Sequence, residues 1–271
     1  MNFSGQVAWI TGASSGIGAA LAKALSKQGA RLVLSGRNVA ALEAVAAECA
    51  GALVLPFEIT DMAAIAPAVE QAWEWSGGID ILINNAGISQ RSLAIDTSYA
   101  VYDRIIGVDL LAPIALTQAI LPRMAARGSG RLVMISSIAG KVGVPLRTAY
   151  SAAKFGLIGY SDALRAEIAH LGIKVHVVAP GSIRTDVSRN ALTADGSARN
   201  ASDKAIENGI DPDLAATEML TAIANDEREI VIAAGPELAM GELRRTPDAL
   251  FDQMAGLMAA GYADKMKAEG N

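Results

Sequence analysis

A single cysteine in 271 residues, Cys49, leaves no internal disulfide to form. Such scarcity points to a reducing compartment, and Cys49 itself reads as helix packing. Histidine is nearly as scarce: His170 and His176 are too few and too poorly grouped for a metal site. Basic residues show no excess. The net charge is −5 and no basic patch stands out, which argues against a nucleic-acid partner. No apolar run approaches the ~20 residues of a membrane span. The N-terminus enters a strand pattern (QVAWIT) almost at once, leaving no room for a signal peptide, so a cytoplasmic location is expected. Repeats, low-complexity tracts and an interdomain linker are also missing.

What remains is a soluble globular profile at its apolar end, 52% apolar and 19% charged, long enough for one large domain over residues 1–271. Gln6 to Thr11 reads as a short apolar strand. TGASSGIG follows at residues 11–18, and Leu21 and Leu25 continue a helical pattern. Strand, glycine-rich turn and helix in this order begin a dinucleotide-binding unit. Gly12 permits the tight turn. Gly16 and Gly18 let a phosphate approach the backbone and let the helix pack on the strand. The helix N-terminus offers free N–H groups and positive dipole to a pyrophosphate.

A second strand, RLVLS at 31–35, is followed by Gly36, Arg37 and Asn38. An NAD site usually places an acid here for the ribose 2′-hydroxyl, and none is present. Arg37 instead offers a planar, permanently charged fork for a 2′-phosphate, so NADP(H) is expected and NAD is the lesser alternative.

Further strands are expected at 53–57, 79–83, 131–136, 174–179 and 229–232. Helices are expected from Asp61 to about Trp75, from Tyr102 to Arg127, from Thr148 or Ala149 to His170, and from Asp211 onward. Alternating strands and helices with nearly all-apolar strands predict an α/β fold: a Rossmann-type, doubly wound parallel sheet of about seven strands with helices on both faces. Asn84-Asn85-Ala86-Gly87 falls at the carboxyl edge of that sheet, where ligands bind in such folds. Pro113, inside a helix, deprives the carbonyl of Asp109 of its helical partner. Residues 186–210 form a long polar loop, expected over the substrate pocket. In the tail, from about 236, Thr246 and Pro247 can open a helix whose face carries Leu250, Phe251, Met254, Leu257 and Met258. Plain packing, a pocket wall, a subunit contact and a membrane-surface foot all remain open for it.

Chemistry concentrates between Ser137 and Lys154. Tyr150 and Lys154 are four apart, on one face of a helix. A phenol has a reference pKa of about 10, and the gap to neutrality is about 4 kcal/mol. An ammonium about 4 Å away at an effective dielectric of about 20 supplies roughly that much. Tyr150 therefore reads as an acid/base, Lys154 as its modulator, and the Ser137 hydroxyl as a donor to a substrate oxygen.

With TGASSGIG, NNAG, Ser137, Tyr150-x-x-x-Lys154 and Pro180-Gly181 in this order, residues 5 to 235 resemble a short-chain dehydrogenase/reductase. Ile135-Ser136-Ser137, the run Gly181 to Thr185 and the run Ala194 to Ser197 look most like its hydroxysteroid-dehydrogenase branch. The resemblance implies that Tyr150 protonates a carbonyl or deprotonates an alcohol. Lys154 would also bind the nicotinamide ribose, and Ser137 would orient the substrate oxygen. Gly12, Ser14, Ser15, Gly16, Ile17 and Gly18 would wrap the diphosphate. Asn85, Ala86 and Gly87 would lie along the cofactor, and Ile59 would offer its N–H to adenine beside Glu58, which stands where the family usually has Asp. Pro180 and Gly181 precede Ile183, which would meet the carboxamide, and Thr185 would reach a phosphate. The fourth catalytic position, normally Asn, aligns with Asp109, whose freed carbonyl would keep a water relay to Lys154 while its carboxylate competes for the ammonium. The expected substrate is a ketone or secondary alcohol of an apolar small molecule. NAD-dependent alcohol oxidation and a low-turnover cofactor-binding regulator are the alternatives. The family's paired helices imply a homodimer or homotetramer.

Overall fold

Seven strands lie side by side in the order β3-β2-β1-β4-β5-β6-β7, every neighbour parallel. They are β1 (Val7–Thr11), β2 (Arg31–Ser35), β3 (Ala52–Val54), β4 (Ile81–Asn84), β5 (Gly130–Ile135), β6 (Ile173–Pro180) and β7 (Glu229–Ile232). The helices are α1 (Gly16–Lys27), α2 (Val39–Ala47), α3 (Met62–Ser76), α4 (Tyr99–Ile106), α5 (Ala112–Arg127), α6 (Thr148–Ile168), α7 (Lys204–Glu207), α8 (Pro212–Ala224) and α9 (Pro236–Glu242). This computed structural model describes residues 3–242 together with Asp252, Gly256, Ala259 and Ala260. The tail face from Leu250 to Met258, with its cap Thr246, lies outside the described residues.

Period-two alternation sorts the strand side chains into two cores. Ala8, Ile10, Ile81, Ile83, Val133 and Ile135 point to the side covered by α1, α2 and α8. Val7, Trp9, Leu82, Leu132 and Met134 point to the side covered by α3, α5 and α6. Both faces of the central strands are buried, which is why their sequences are almost wholly apolar. Trp9 keeps its one polar atom satisfied: Nε1–H donates to Ser35 Oγ at 2.8 Å.

Two expected elements differ in detail. The third strand is only Ala52–Val54, not 53–57. Leu55 and Phe57 still donate to β2, at Leu34 O (2.9 Å) and Gly36 O (3.2 Å), but Pro56 between them has no N–H to extend a ladder. The long helix expected at Tyr102–Arg127 begins at Tyr99 and is interrupted by a π-helical stretch, Gly107–Leu111. There the Ala112 N–H reaches back five residues to Gly107 O. Pro113 accounts for the widening: it offers no N–H to Asp109 O, and its ring would crowd that carbonyl in a regular turn.

Taken together, Tyr99–Arg127 is also long and apolar enough by composition to cross a membrane, with an 18-residue stretch of mean hydropathy 1.8. Asp109, Thr117 and Gln118 interrupt it, so the sequence shows no unbroken apolar run of that length. In the fold it is a core helix on one side, through Leu116, Ile120 and Met124, while Leu111 is exposed on another.

Candidate active site

Sheet order reverses beside β1, whose neighbours β2 and β4 lead to opposite edges, and the crevice at the carboxyl ends of these strands is the usual ligand position in such sheets. A cavity of about 860 Å³ opens there, within the range of small-molecule and cofactor sites. Of the residues predicted from sequence, Gly12, Ser14, Ser15, Gly16, Ile17, Arg37, Glu58, Ile59, Asn85, Ala86, Gly87, Asp109, Ser137, Tyr150, Lys154, Pro180, Gly181, Ile183 and Thr185 all line it. Gly18 does not. A Cβ there would stand 2.3 Å from Gly12 O and 2.5 Å from Asn85 Nδ2, so its glycine serves the packing of α1 on the turn.

The turn itself is tied to the next strand. Gly12 has φ +65°, a left-handed conformation that suits glycine. The Asn85 side chain donates to Thr11 O (2.9 Å) and Gly12 O (3.2 Å), while Thr11 Oγ1 accepts the N–H groups of Asn85 and Ala86, both at 3.0 Å. Asn85 thus acts on the turn, with its amide donors already engaged. Ser15 begins α1 without a side-chain cap, so the first N–H groups of that helix face the cavity unclaimed by a cap. Past the end of β2, Arg37 Nη1 lies 3.5 Å from Glu58 Oε2, both exposed.

At the other end, Tyr150 and Lys154 project from the first turns of α6. Lys154 is 3% exposed. Its Nζ donates to Ile135 O at 2.9 Å and lies 3.2 Å from Asp109 Oδ2, and it sits 5.6 Å from the centre of the Tyr150 ring. Asp109 is wholly buried and its Oδ1 accepts the Ile88 N–H at 2.9 Å. Burial pushes the Asp109 carboxyl up, opposed by Lys154 and the Ile88 N–H. Burial alone would pull Lys154 down, but Asp109 and Tyr150 outweigh it and hold the ammonium above its ordinary range. With Oδ1 on a backbone N–H and Oδ2 within ion-pair distance of the amine, the ion pair is the form this geometry supports. Gly87 leaves the room: a Cβ there would come 3.0 Å from Asp109 Oδ2 and 3.5 Å from Lys154 Nζ.

Ser137 sits at the end of β5, its Oγ accepting from Ala139 N–H (3.1 Å) and reaching Pro180 O only at 3.4 Å. The next strand's end is pinned from outside, since Glu237 of α9 accepts from the Ser182 N–H (2.7 Å) and hydroxyl (2.8 Å). From the long segment after Thr185, Val187, Leu192 and Ile206 also line the cavity. Sequence reasoning missed Arg147, another cavity-lining residue, although it lies three positions before Tyr150. It missed Glu237 as well, which no local pattern connects to Ser182.

Comparison with known proteins agrees with this geometry. A model of the short chain dehydrogenase family matches residues 6–196. The chain is 40% identical over 257 residues to bovine (Bos taurus) dehydrogenase/reductase SDR family member 7B, covering 91% of this chain and 79% of the relative. A metagenomic short-chain oxidoreductase solved in complex with NADP superposes with a TM-score of 0.69 at 33% identity, over 84% of this chain and 97% of that one. A Burkholderia phymatum short-chain dehydrogenase/reductase in complex with NAD shares the fold, with a TM-score of 0.79 at 22% identity over 91% and 98% of the two chains. From the glycine-rich turn to the Tyr150 helix, this chain belongs to the short-chain dehydrogenase family.

Proposed function

We propose that the protein is an NADP(H)-dependent oxidoreductase that moves hydride between the nicotinamide and a ketone or secondary alcohol of a largely apolar small molecule. The observation that carries this reading is that one cavity joins the glycine-rich turn and Arg37 to Ser137, Tyr150 and Lys154. The residues present fit a dinucleotide: an uncapped helix N-terminus for the diphosphate, Arg37 for a 2′-phosphate, and the Ile59 N–H near Glu58 for the adenine. The bound nicotinamide supplies the hydride chemistry. Pro180, Gly181, Ile183 and Thr185 line the stretch toward the nicotinamide end. Tyr150 gives its phenolic proton to the carbonyl oxygen in reduction, or takes the alcohol's proton in oxidation. Ser137 holds that oxygen in place, and the Lys154 ammonium beside the Tyr150 ring favours the phenolate that results.

NAD-dependent alcohol oxidation is the second reading, favoured by one observation: Glu58 stands within ion-pair distance of Arg37 and competes for it. A partner copy is expected on the incompletely covered face of Tyr99–Arg127 and on α6, giving a homodimer or homotetramer; a monomer by light scattering at micromolar concentration would refute this.

Tyr150→Phe tests the reading. Turnover of a ketone panel with NADPH should fall by at least about 10²-fold, the scale of general acid/base catalysis, with cofactor affinity kept. Undiminished turnover would remove Tyr150 from the chemistry, and a wild-type protein that binds cofactor without turning over any panel member would favour a regulator.

A further inference from the structure

Three arginines converge on one carboxylate beside the cavity. Asp203 Oδ2 accepts from Arg91 Nε at 2.9 Å and from its Nη2, and Oδ1 accepts from Arg199 Nη1 at 2.6 Å. The Asp203 N–H and Arg199 Nη1 both donate to Ser188 Oγ. Burial would raise the Asp203 carboxyl, but Arg91, Arg199 and Ser188 overrule it and hold it well below the usual carboxylate range. Two donors on Oδ2 and one on Oδ1 already occupy most of the carboxylate's acceptor capacity before the third arginine is counted.

That third arginine is Arg147. Its Nη2 reaches Asp203 Oδ2 only at 3.5 Å, and its buried Nε has no hydrogen-bond partner among the described residues. Burial first, then repulsion from Arg91, push its guanidinium below its ordinary range, against the attraction of Tyr150, Asp203 and Glu237. Glu237 is itself spent on Ser182. A buried guanidinium N–H left unpaired is costly, and nothing in a purely apolar substrate would meet it.

The backbone holds Arg147 there by design of the loop. Leu146 adopts φ +65°, a left-handed conformation unfavourable for a leucine, immediately before it. The turn is fixed on either side by Ser92 N–H on Leu146 O (3.2 Å) and Ala149 N–H on Gln90 Oε1 (2.8 Å). Three residues further on, Tyr150 faces the same cavity.

We infer that the substrate carries an anionic group, a carboxylate or a phosphate, which Arg147 receives while the apolar body lies along Val187, Leu192 and Ile206 and the carbonyl meets Tyr150. A guanidinium fork matches either anion bidentately. This rests on the function proposed above and narrows its substrate from an apolar ketone to an amphiphilic, acidic one.

The test is calorimetric binding of decanoate and, separately, decyl phosphate to protein saturated with NADP+, in wild type, Arg147→Met and Arg147→Lys. Saturation keeps the probes out of the cofactor's own phosphate sites. Wild type should bind one of the two probes, which identifies the anion. Arg147→Met should weaken that binding by about 10- to 100-fold, the worth of a hydrogen bond to a charged group. Arg147→Lys should recover part of the loss, which separates lost charge from lost folding. Failure of both probes to bind wild type, or binding unchanged in Arg147→Met, overturns the inference. A variant that loses NADP+ affinity in place of probe affinity assigns Arg147 to the cofactor and overturns it too. Absence of any nicotinamide binding by wild type is a different result and sinks the proposed function instead.

Discussion

Lys154 Nζ stands 3.2 Å from a wholly buried Asp109 carboxylate. The pair is direct, and it joins Asp109 of the π-helical stretch that Pro113 imposes to Lys154 of α6. Asp109→Asn keeps an acceptor for the Ile88 N–H and removes the charge. The expected rate at neutral pH is kept or raised, because the Lys154 ammonium no longer shares its field with a carboxylate. A hundredfold loss of rate in that variant would make the carboxylate itself indispensable. Asp109→Ala should instead cost about 3–5 kcal/mol of stability, as expected when one partner of a buried pair is deleted, and a denaturant midpoint like that of wild type would contradict this.

Under the proposed function, Arg37 should set the preference between the two nicotinamide cofactors. Its side chain is largely exposed and its ion-pair partner among the described residues, Glu58, is 3.5 Å away, so a 2′-phosphate can replace that contact. Arg37→Ala should lower NADPH affinity by about 10- to 100-fold and leave NADH affinity nearly unchanged. Equal losses for both cofactors would assign Arg37 to something other than the 2′-phosphate.

Gly18 is a packing position. Since an added methyl would meet a backbone oxygen at 2.3 Å, Gly18→Ala should destabilise by about 1–3 kcal/mol, read as a melting temperature lower by about 2–4 °C for each kcal/mol. A variant as stable as wild type would show that the turn relaxes freely.

His176, 1% exposed on β6, sits with Nδ1 2.7 Å from Glu227 O. Burial lowers its folded-state pKa from 6.5, only partly offset by that carbonyl and Asp226. The unfolded chain therefore takes up the proton first, and stability is full above about pH 6.5 and declines below it, by up to about 1.4 kcal/mol per pH unit until the folded ring titrates. Thermal unfolding of His176→Gln should be flatter than wild type between pH 6.5 and 5.5. Parallel curves would show that the histidine contributes nothing to acid sensitivity.

Much of the fold and most of the candidate site could be read in the sequence because the relevant signals are local. The glycine-rich turn lies between a strand and a helix, and Tyr150 and Lys154 are one helical turn apart. The apolar strands mark a sheet buried on both faces. Pro113 announced a disturbed helix but not its form, since a kink, a water or a π-bulge can each answer a missing N–H. At Gly18 phosphate approach and tight packing both ask for glycine, and the contacts a Cβ would meet there bear out the packing. The Arg91–Asp203 pair spans 112 positions, and Glu237 reaches Ser182 across 55. Contacts of that range leave no periodicity in the chain, so the surplus charge of Arg147 was invisible until the loops were placed.

The most direct test of the account is a calorimetric titration of the wild-type protein with NADPH and, separately, with NADH. Tight binding of NADPH and much weaker binding of NADH is the predicted result. The opposite preference would contradict the Arg37 reading and turn the account toward NAD-dependent alcohol oxidation.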